Sequence, residues 1–470
     1  MTAGRSLGAD AMATTLVVDN PATGERLAEL AVDDEAAIAA KAAAARAAQP
    51  RWAATPLADR IAALSAFRAG VVAERDALAE LLTREVGKPI TQSRNELDGL
   101  LPRIDFFVVE TEAALRDEPV YDADGIRERI EHEPLGVVAN VSAWNYPWFV
   151  GCNVILPALA AGNAVLYKPS EFATLTGQAI AHLLHASGVP ADVMQVVTGR
   201  GEAGAALCEK PLDGLFFTGS RETGRRIAAT LGPRMVKVQL ELGGKDPTYV
   251  RADADPAVAA PSLADGAMYN TGQSCCSVER IYVHADLHDA FVARFVAAVQ
   301  GFVIGDPMDP RTYIGAITRR AQLDVLDAQV ADAVAKGARV LCGGRRLPGP
   351  GSRFAPTVVV DVDHRMALMR EESFGPVIGI QKVASDDEAI ALMNDTRYGL
   401  TAGIYSRNEQ RARELLGRVA AGSVYWNCCD RVSPRLPWSG RGDSGIGLTL
   451  STHGIRTFTR TRAWHLRAPG

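Results

Sequence analysis

The sequence predicts an α/β fold made of two doubly wound parallel-sheet units. Short Val/Ile-rich runs alternate with helical segments from about Ile130 to Gly244, a second such series follows, and no internal repeat or low-complexity linker separates them. The 470 residues suffice for two to four domains with large buried cores. With 47% hydrophobic and 22% charged residues, the composition excludes disordered, collagen-like and coiled-coil classes. Lys plus Arg number 50 against 55 Asp plus Glu, and the net charge of -5 comes without a basic block, so no electrostatic footprint for nucleic acid exists. A small partner, neutral or modestly charged, is expected instead.

Seven cysteines form an odd set with no CxxC pair and two adjacent doublets. That pattern fits neither a disulfide framework nor a zinc site, so a reducing, cytoplasmic compartment and no metal are expected. The amino-terminal MTAGRSLGADAMATTL lacks the apolar core of a secretory signal, and its first eleven residues read as an extension before Met12. The apolar stretch Trp148 to Tyr167 is interrupted by Asn153, Pro157 and Gly162-Asn163. It is expected to be a buried helix, a turn and a buried strand, with no membrane span.

In chain order, Ala31 to Glu85 is Ala-rich, and Ile61, Leu64, Val71, Leu78 and Leu82 recur at helical spacing before Gly87 and Pro89 supply a stop. The first strand series is GVVANV, AVLYKP, MQVVTG, LFFTGS and VKVQLELGG. The second is TYV, RIYVHA, ARVLCGG, FAPTVVVDV, VIGIQKV and GIYS, with helices at Asp286 to Val299 and Arg407 to Val419. Such runs indicate parallel sheets covered on both faces. The boundary between the units falls near Leu242-Gly243-Gly244, and a site between them is expected beyond the carboxyl ends of their strands.

Three segments carry candidate chemistry. In Asn270-Thr-Gly-Gln-Ser-Cys275-Cys276, a glycine near a cysteine suits a helix start, where free N–H groups and the dipole would lower a thiol pKa and favour a nucleophilic thiolate. An isolated cysteine is otherwise a small buried hydrophobe. Glu241 closes an apolar strand before two glycines, the setting for a general base with a raised pKa or for a helix cap or interdomain ion pair. Asn145, where GVVANV turns into Tyr146-Pro147, is placed to donate to an oxyanion, or to serve ordinary turn chemistry.

These segments fall in one order with several others. Asn20-Pro-Ala-Thr-Gly-Glu25, Glu133-Pro-Leu-Gly-Val-Val138, Trp144-Asn-Tyr-Pro147, Leu156-Pro-Ala-Leu-Ala-Ala-Gly-Asn163 and Lys168-Pro-Ser-Glu171 come first. Phe217-Thr-Gly-Ser220 with Gly224, Glu241-Leu-Gly-Gly-Lys245, Gly272-Gln-Ser-Cys275, Glu371-Glu-Ser-Phe-Gly-Pro376 and Pro437-Trp-Ser-Gly440 follow. Over nearly its whole length the chain resembles the NAD(P)-dependent aldehyde dehydrogenase superfamily, of the hydrolytic type that releases a free acid.

The resemblance implies a Rossmann-like cofactor domain at residues 1–115 and 135–243, a second α/β catalytic domain at 244–443, and a small β oligomerisation arm at 116–134 and 444–470. It implies Cys275 as nucleophile, Glu241 as the base that activates the hydrolytic water, and Asn145 with the Cys275 backbone N–H as oxyanion donors. NAD would be held by Trp144, Lys168, Ser170, Glu171, Thr218, Gly219, Ser220, Glu372 and Phe374. The helix after Thr218-Gly219-Ser220 would face the pyrophosphate. The Glu171 carboxylate would repel a 2′-phosphate and so favours NAD, while Ser170 leaves NADP possible.

Aligned pocket positions are Tyr146, Val150, Asn153, Ser274, Cys276, Val432 and Trp438, a mixed apolar set suited to a neutral aliphatic or aromatic aldehyde. Arg431 and Arg435 would instead attract a carboxylate-bearing semialdehyde. Release of the acyl group to CoA, or an inert binding role, are the alternatives that the presence of Glu241 and Cys275 argues against. The GxGxxG match Gly199 to Gly204 is read as a loop, and Arg441-Gly442-Asp443 as part of the Pro437 to Gly447 loop without an adhesive role. Strand-like edges at Ala123 to His132 and Gly454 to Trp464 are expected to pair with a neighbouring subunit, giving a homodimer or homotetramer.

Overall fold

The computed structural model describes residues 14–469. The expected extension at residues 1–11 lies outside the described residues. After the hairpin Thr15–Asp19 and Arg26–Ala31 come the helices Glu35–Ala54, Leu57–Ala73, Arg75–Val86 and Ile90–Leu115. Asp34 caps the first by accepting from the Ala37 N–H at 2.8 Å. Gly87 ends the third in the left-handed region, φ 77°, with its N–H on the Thr83 carbonyl.

The first parallel sheet runs in the order Lys237–Glu241, Gly214–Thr218, Val137–Val141, Ala164–Lys168, Met194–Val196. The chain winds outward from Val137–Val141 in one direction and then returns to its other side. That reversal opens a crevice at the carboxyl edge. Register pairs Val141 with both Lys168 and Phe217, and Thr218 with Glu241. The strand ends preceding Asn145, Pro169, Gly219 and Leu242 are therefore level with one another. The apolar stretch Trp148 to Tyr167 forms the helix Pro147–Ala160, a turn and the buried strand Ala164–Lys168, as its punctuation predicts. Among the described residues no helix is long and apolar enough to cross a membrane.

The second sheet has seven strands in the order Arg339–Cys342, Thr357–Val360, Val377–Val383, Val278–His284, Asp246–Val250, Thr401–Tyr405, Ser423–Trp426. It departs from the all-parallel expectation at one edge, where Arg339–Cys342 runs antiparallel to its neighbour. An edge strand needs only one partner, and the connection to Thr357 folds back on itself through the antiparallel bridge between Arg346 and Phe354, so the two strands meet as a hairpin.

Three other expectations are corrected. The crevice lies beyond the carboxyl ends of the first sheet but at the amino ends of the second, because Cys275, Glu372 and Lys245 all immediately precede strands. Residues 199–204 are a loop only at Gly199 and Arg200: Gly201 opens the helix Gly201–Cys208, and a Cβ at Gly199 would stand 2.6 Å from that of Ala203. The arm begins later than residue 444. Gly445–Ile446 adds antiparallel to Lys237–Glu241, and the helix Ser451–Thr457 packs on Ile90–Leu115. Only Thr459–Arg467 joins Ile126–Pro134 and Glu118–Ala123 in a three-stranded antiparallel sheet.

The start of the helix Thr174–Ala186, just after the Lys168 to Glu171 segment, has no cap of its own. Glu85, 2% exposed, reaches across and accepts from Leu175 N–H at 2.6 Å, Thr176 N–H at 2.8 Å and Thr176 Oγ1 at 2.7 Å. Truncation leaves these donors without an acceptor, so Glu85→Ala is expected to cost about 3 kcal/mol. A calorimetric melting temperature equal to the wild type's would contradict this.

Candidate active site

Cys275 does not open a helix. It sits in a turn between the helix Pro256–Met268 and the strand Val278–His284, after a short 3₁₀ turn at Tyr269–Gly272. Asn270, Thr271 and Gly272 are consecutively left-handed, at φ 52°, 58° and 72°. For asparagine this is tolerated, but for β-branched threonine it is costly. The surroundings hold it. The Asn270 N–H donates to Gln92 Oε1 at 2.9 Å, Asn270 Nδ2 donates to the carbonyls of Asn145 and Gln273, and Thr271 Oγ1 accepts from the Gly315 N–H. A Cβ on Gly272 would lie 2.3 Å from the Gly375 carbonyl oxygen, so only glycine lets this turn press against the Glu371 to Pro376 segment.

The expected lowering of the Cys275 thiol is therefore overturned. Hydrogen bonding with Cys276 pushes its pKa well up, helped by burial and by the neighbouring Glu241 carboxylate. No helix N-terminus opposes them. Glu241, 4% exposed at the end of its strand, has Oε1 buried without a hydrogen-bond partner, and burial raises its pKa to about 7. Asn145 is buried, and its Nδ2 donates to the Gln273 carbonyl at 3.1 Å. One of the two N–H groups of that amide is thereby used.

The residues implicated in cofactor binding line the crevice at the level strand ends. Ser220 Oγ caps the helix Arg221–Leu231 from the Thr218-Gly219 turn. Lys168 is buried, with Nζ on the Pro169 carbonyl and 3.9 Å from Glu171, whose Oε2 accepts from Ser170 Oγ at 3.3 Å. Across the crevice, Glu372 Oε1 accepts from the Gly244 N–H at 3.2 Å, and burial lifts its pKa well above the usual carboxylate range. A Cβ at Gly243 would fall 2.3 Å from that oxygen. Phe374 meets Trp144 edge-on at 5.5 Å between centroids. Bare backbone at Gly219 and Gly243, a capped helix start and a carboxylate with spare acceptor capacity suit a dinucleotide. The Arg441-Gly442-Asp443 tripeptide is anchored rather than displayed: Asp443 pairs with Arg221 at 2.5 Å, tying this loop to the same helix.

A cavity of about 580 Å³ opens beside Cys275 and Glu241, and Tyr146, Val150, Asn153, Ser274, Cys276, Val432 and Trp438 all line it. Asn145 stands behind the wall, holding the Cys275 loop. Sequence reasoning missed one wall completely. Asn95, Gly99, Pro102 and Arg103 of the helix Ile90–Leu115 face the cavity, as do Phe149, Tyr269 and Asp430. The four-residue spacing of Asn95, Gly99 and Arg103, and an arginine set within Leu100-Leu101-Pro102-Arg103-Ile104, were the available signals. The wall is also less apolar than expected, because Cys276 Sγ donates to Asp430 Oδ1 at 2.9 Å and burial lifts Asp430 to a pKa of about 6. Arg431 lies at the lining but is exposed, while Arg435 is exposed and outside it.

Residues 9–464 match the model of the aldehyde dehydrogenase family. The chain is 36% identical over 463 residues to a 3,6-anhydro-alpha-L-galactose dehydrogenase of Streptomyces coelicolor, covering 96% of this chain and 93% of that protein. It is 35% identical over 445 residues to an NADP(+) succinate-semialdehyde dehydrogenase of Mycobacterium bovis, covering 93% of this chain and 97% of the relative. Among solved structures, an NAD-dependent aldehyde dehydrogenase from Sinorhizobium meliloti superposes with a TM-score of 0.94 at 32% identity, covering 97% of this chain and 92% of that one.

The left-handed turn before Cys275 has no room for a side chain at Gly272. Gly272→Ala combines a forced positive φ with a clash against backbone, which should cost about 3 kcal/mol. Urea denaturation with the wild-type midpoint would show that the loop accommodates a Cβ after all.

Proposed function

The chain belongs to the aldehyde dehydrogenase family and oxidises an aldehyde with NAD(P) as electron acceptor; from that premise we propose that Cys275, Glu241 and Asn145 carry the chemistry. The observation supporting this most directly is that Cys275 and a buried Glu241 carboxyl, with an unpartnered Oε1 and a pKa of about 7, line the wall of one cavity. The Cys275 thiol releases its proton to solvent through the open cavity. The sulfur then adds to the aldehyde carbon, and the oxyanion that forms accepts from the second Asn145 N–H and the Cys275 backbone N–H. When bound, the nicotinamide supplies the acceptor for the hydride lost from that carbon. Glu241, unprotonated at this stage, next removes a proton from water, the water oxygen attacks the Cys275 thioester, and the carboxylic acid leaves as Glu241 passes that proton to the sulfur.

Thr218, Gly219, Ser220, Lys168, Ser170, Glu171, Trp144, Glu372 and Phe374 would hold the dinucleotide. The Glu171 carboxylate beside Lys168 favours ribose hydroxyls over a 2′-phosphate, so NAD is the preferred acceptor, and NADP the second. The arm formed by 118–134 and 459–467 exposes Val120, Tyr121 and Leu466 at 59%, 43% and 37%. Its two outer strands present unpaired edges, which supports a homodimer or homotetramer built through this sheet in the cytoplasm.

A pre-steady-state assay with a short alkanal and NAD tests the roles. Glu241→Gln should keep a first-turnover burst of NADH while slowing the steady state by ~10²-fold or more; a variant with no burst assigns Glu241 elsewhere. Below pH 7 the Glu241 carboxyl is protonated and cannot accept from water. Hydrolytic turnover should therefore rise with pH through about 7, and a flat wild-type profile counts against the assignment. For the arm, light scattering is decisive: the full chain should be a dimer or tetramer, and a chain ending at Phe458 should not. A monomeric full chain at micromolar concentration removes the arm-pairing proposal.

A further inference from the structure

The cavity wall contributed by the helix Ile90–Leu115 holds a cation without a matching anion. Arg103 is 5% exposed and lines the cavity together with Cys275. Its partners are neutral: Nη1 donates to Asn153 Oδ1 at 3.0 Å, Nη2 reaches the Val432 carbonyl at 3.5 Å, and the guanidinium lies 3.9 Å from the Phe149 ring centroid. No carboxylate lies within ion-pair distance among the described residues. Glu96, the carboxylate that acts on it most strongly, already pairs with Lys88 and accepts the Trp148 N–H at 2.9 Å. Of the five N–H donors a guanidinium carries, two are used, and three remain.

Burying a guanidinium in neutral surroundings is unfavourable unless a charge or strong acceptors complete its shell. Burial depresses the Arg103 pKa to about 10, yet the group stays charged at neutral pH. The cavity is the open side. A carboxylate is the anion whose two oxygens match the planar N–H fork, and a small substrate can bring it. Arg431, exposed at the lining, adds positive potential that draws an anion toward the opening.

Resting on the aldehyde oxidation proposed above, we infer that the substrate is an aldehyde that also bears a carboxylate, an ω-oxo acid, with its carbonyl at Cys275 and its carboxylate on Arg103. The product is then a dicarboxylate. This reading replaces the neutral aldehyde favoured by the apolar pocket positions, and it moves the anion-binding role from the exposed Arg431 and Arg435 to a buried residue.

Matched pairs test it on the full chain: succinic semialdehyde against butanal, and adipic semialdehyde against hexanal, with NAD and NADP. In at least one pair the wild type should favour the oxo acid in kcat/KM by tenfold or more. Arg103→Gln should collapse that ratio on the order of 10²-fold, chiefly by raising KM for the oxo acid, and Arg103→Lys should restore part of it. Equal or inverted wild-type preference, or an unchanged ratio in Arg103→Gln, overturns the inference while aldehyde oxidation stands; no NAD(P)H from any of the four would instead defeat the oxidation reading itself. Should Arg103→Gln not fold, product inhibition of wild-type butanal oxidation decides. Succinate competing at least tenfold more tightly than the neutral butyramide supports carboxylate recognition, and equal inhibition refutes it.

Discussion

The Glu279 carboxylate is the point on which the crevice depends. It lies 4% exposed at the start of the strand Val278–His284, takes Lys245 Nζ at 2.5 Å, and accepts the backbone N–H groups of Ser373 and Phe374. Three segments that begin three different strands are thereby pinned to one another: the Gly243 to Lys245 link, the loop after Cys275, and the Glu371 to Pro376 loop. A buried ion pair contributes little net stability, since desolvation offsets its Coulombic gain. What it does here is positional. Because its oxygens are occupied by Lys245, Ser373 and Phe374, the segments that carry Glu372, Phe374 and Cys275 have one mutual arrangement.

Around that clamp the molecule concentrates conformational and electrostatic cost. Asn270 and Thr271 sit in the left-handed region at about 1–3 kcal/mol each, and they persist because Gln92, Asn145, Gln273 and Gly315 bind their polar groups. The adjoining cavity is lined by Glu241 with a buried unpartnered oxygen, by Asp430 held by a thiol, and by Arg103 without a counter-ion. An apolar core would have none of these. A preorganised reaction site needs all of them, since groups already desolvated and oriented require no rearrangement when charge develops on a substrate.

Much of this was legible in the chain itself. Strand runs such as GVVANV and AVLYKP, the stop at Gly87, and the interrupted apolar stretch from Trp148 each have a local cause, and the structure places them where those causes predict. The seven pocket positions lie in one cavity wall because they sit in short motifs next to Cys275, Asn145 and Trp438. Other features depend on partners distant in sequence. The antiparallel direction of Arg339–Cys342 is settled by which strand it meets at the sheet edge, and Glu85 caps a helix about 90 residues further on.

The sequence by itself determined the layer architecture, the helix and strand order, and the identities of the chemical groups, because hydrophobic period and turn residues act over a few positions. It also contained Arg103, but among leucines it reads as an ordinary helix residue. Only the tertiary structure decided that its guanidinium is buried beside Cys275 without an anion, that the Cys275 thiol meets Glu241 and Cys276 in place of a helix N-terminus, and that the crevice joins carboxyl ends of one sheet to amino ends of the other. Burial, charge and hydrogen-bond balance at a site are sums over residues far apart in sequence, and no local pattern carries those sums.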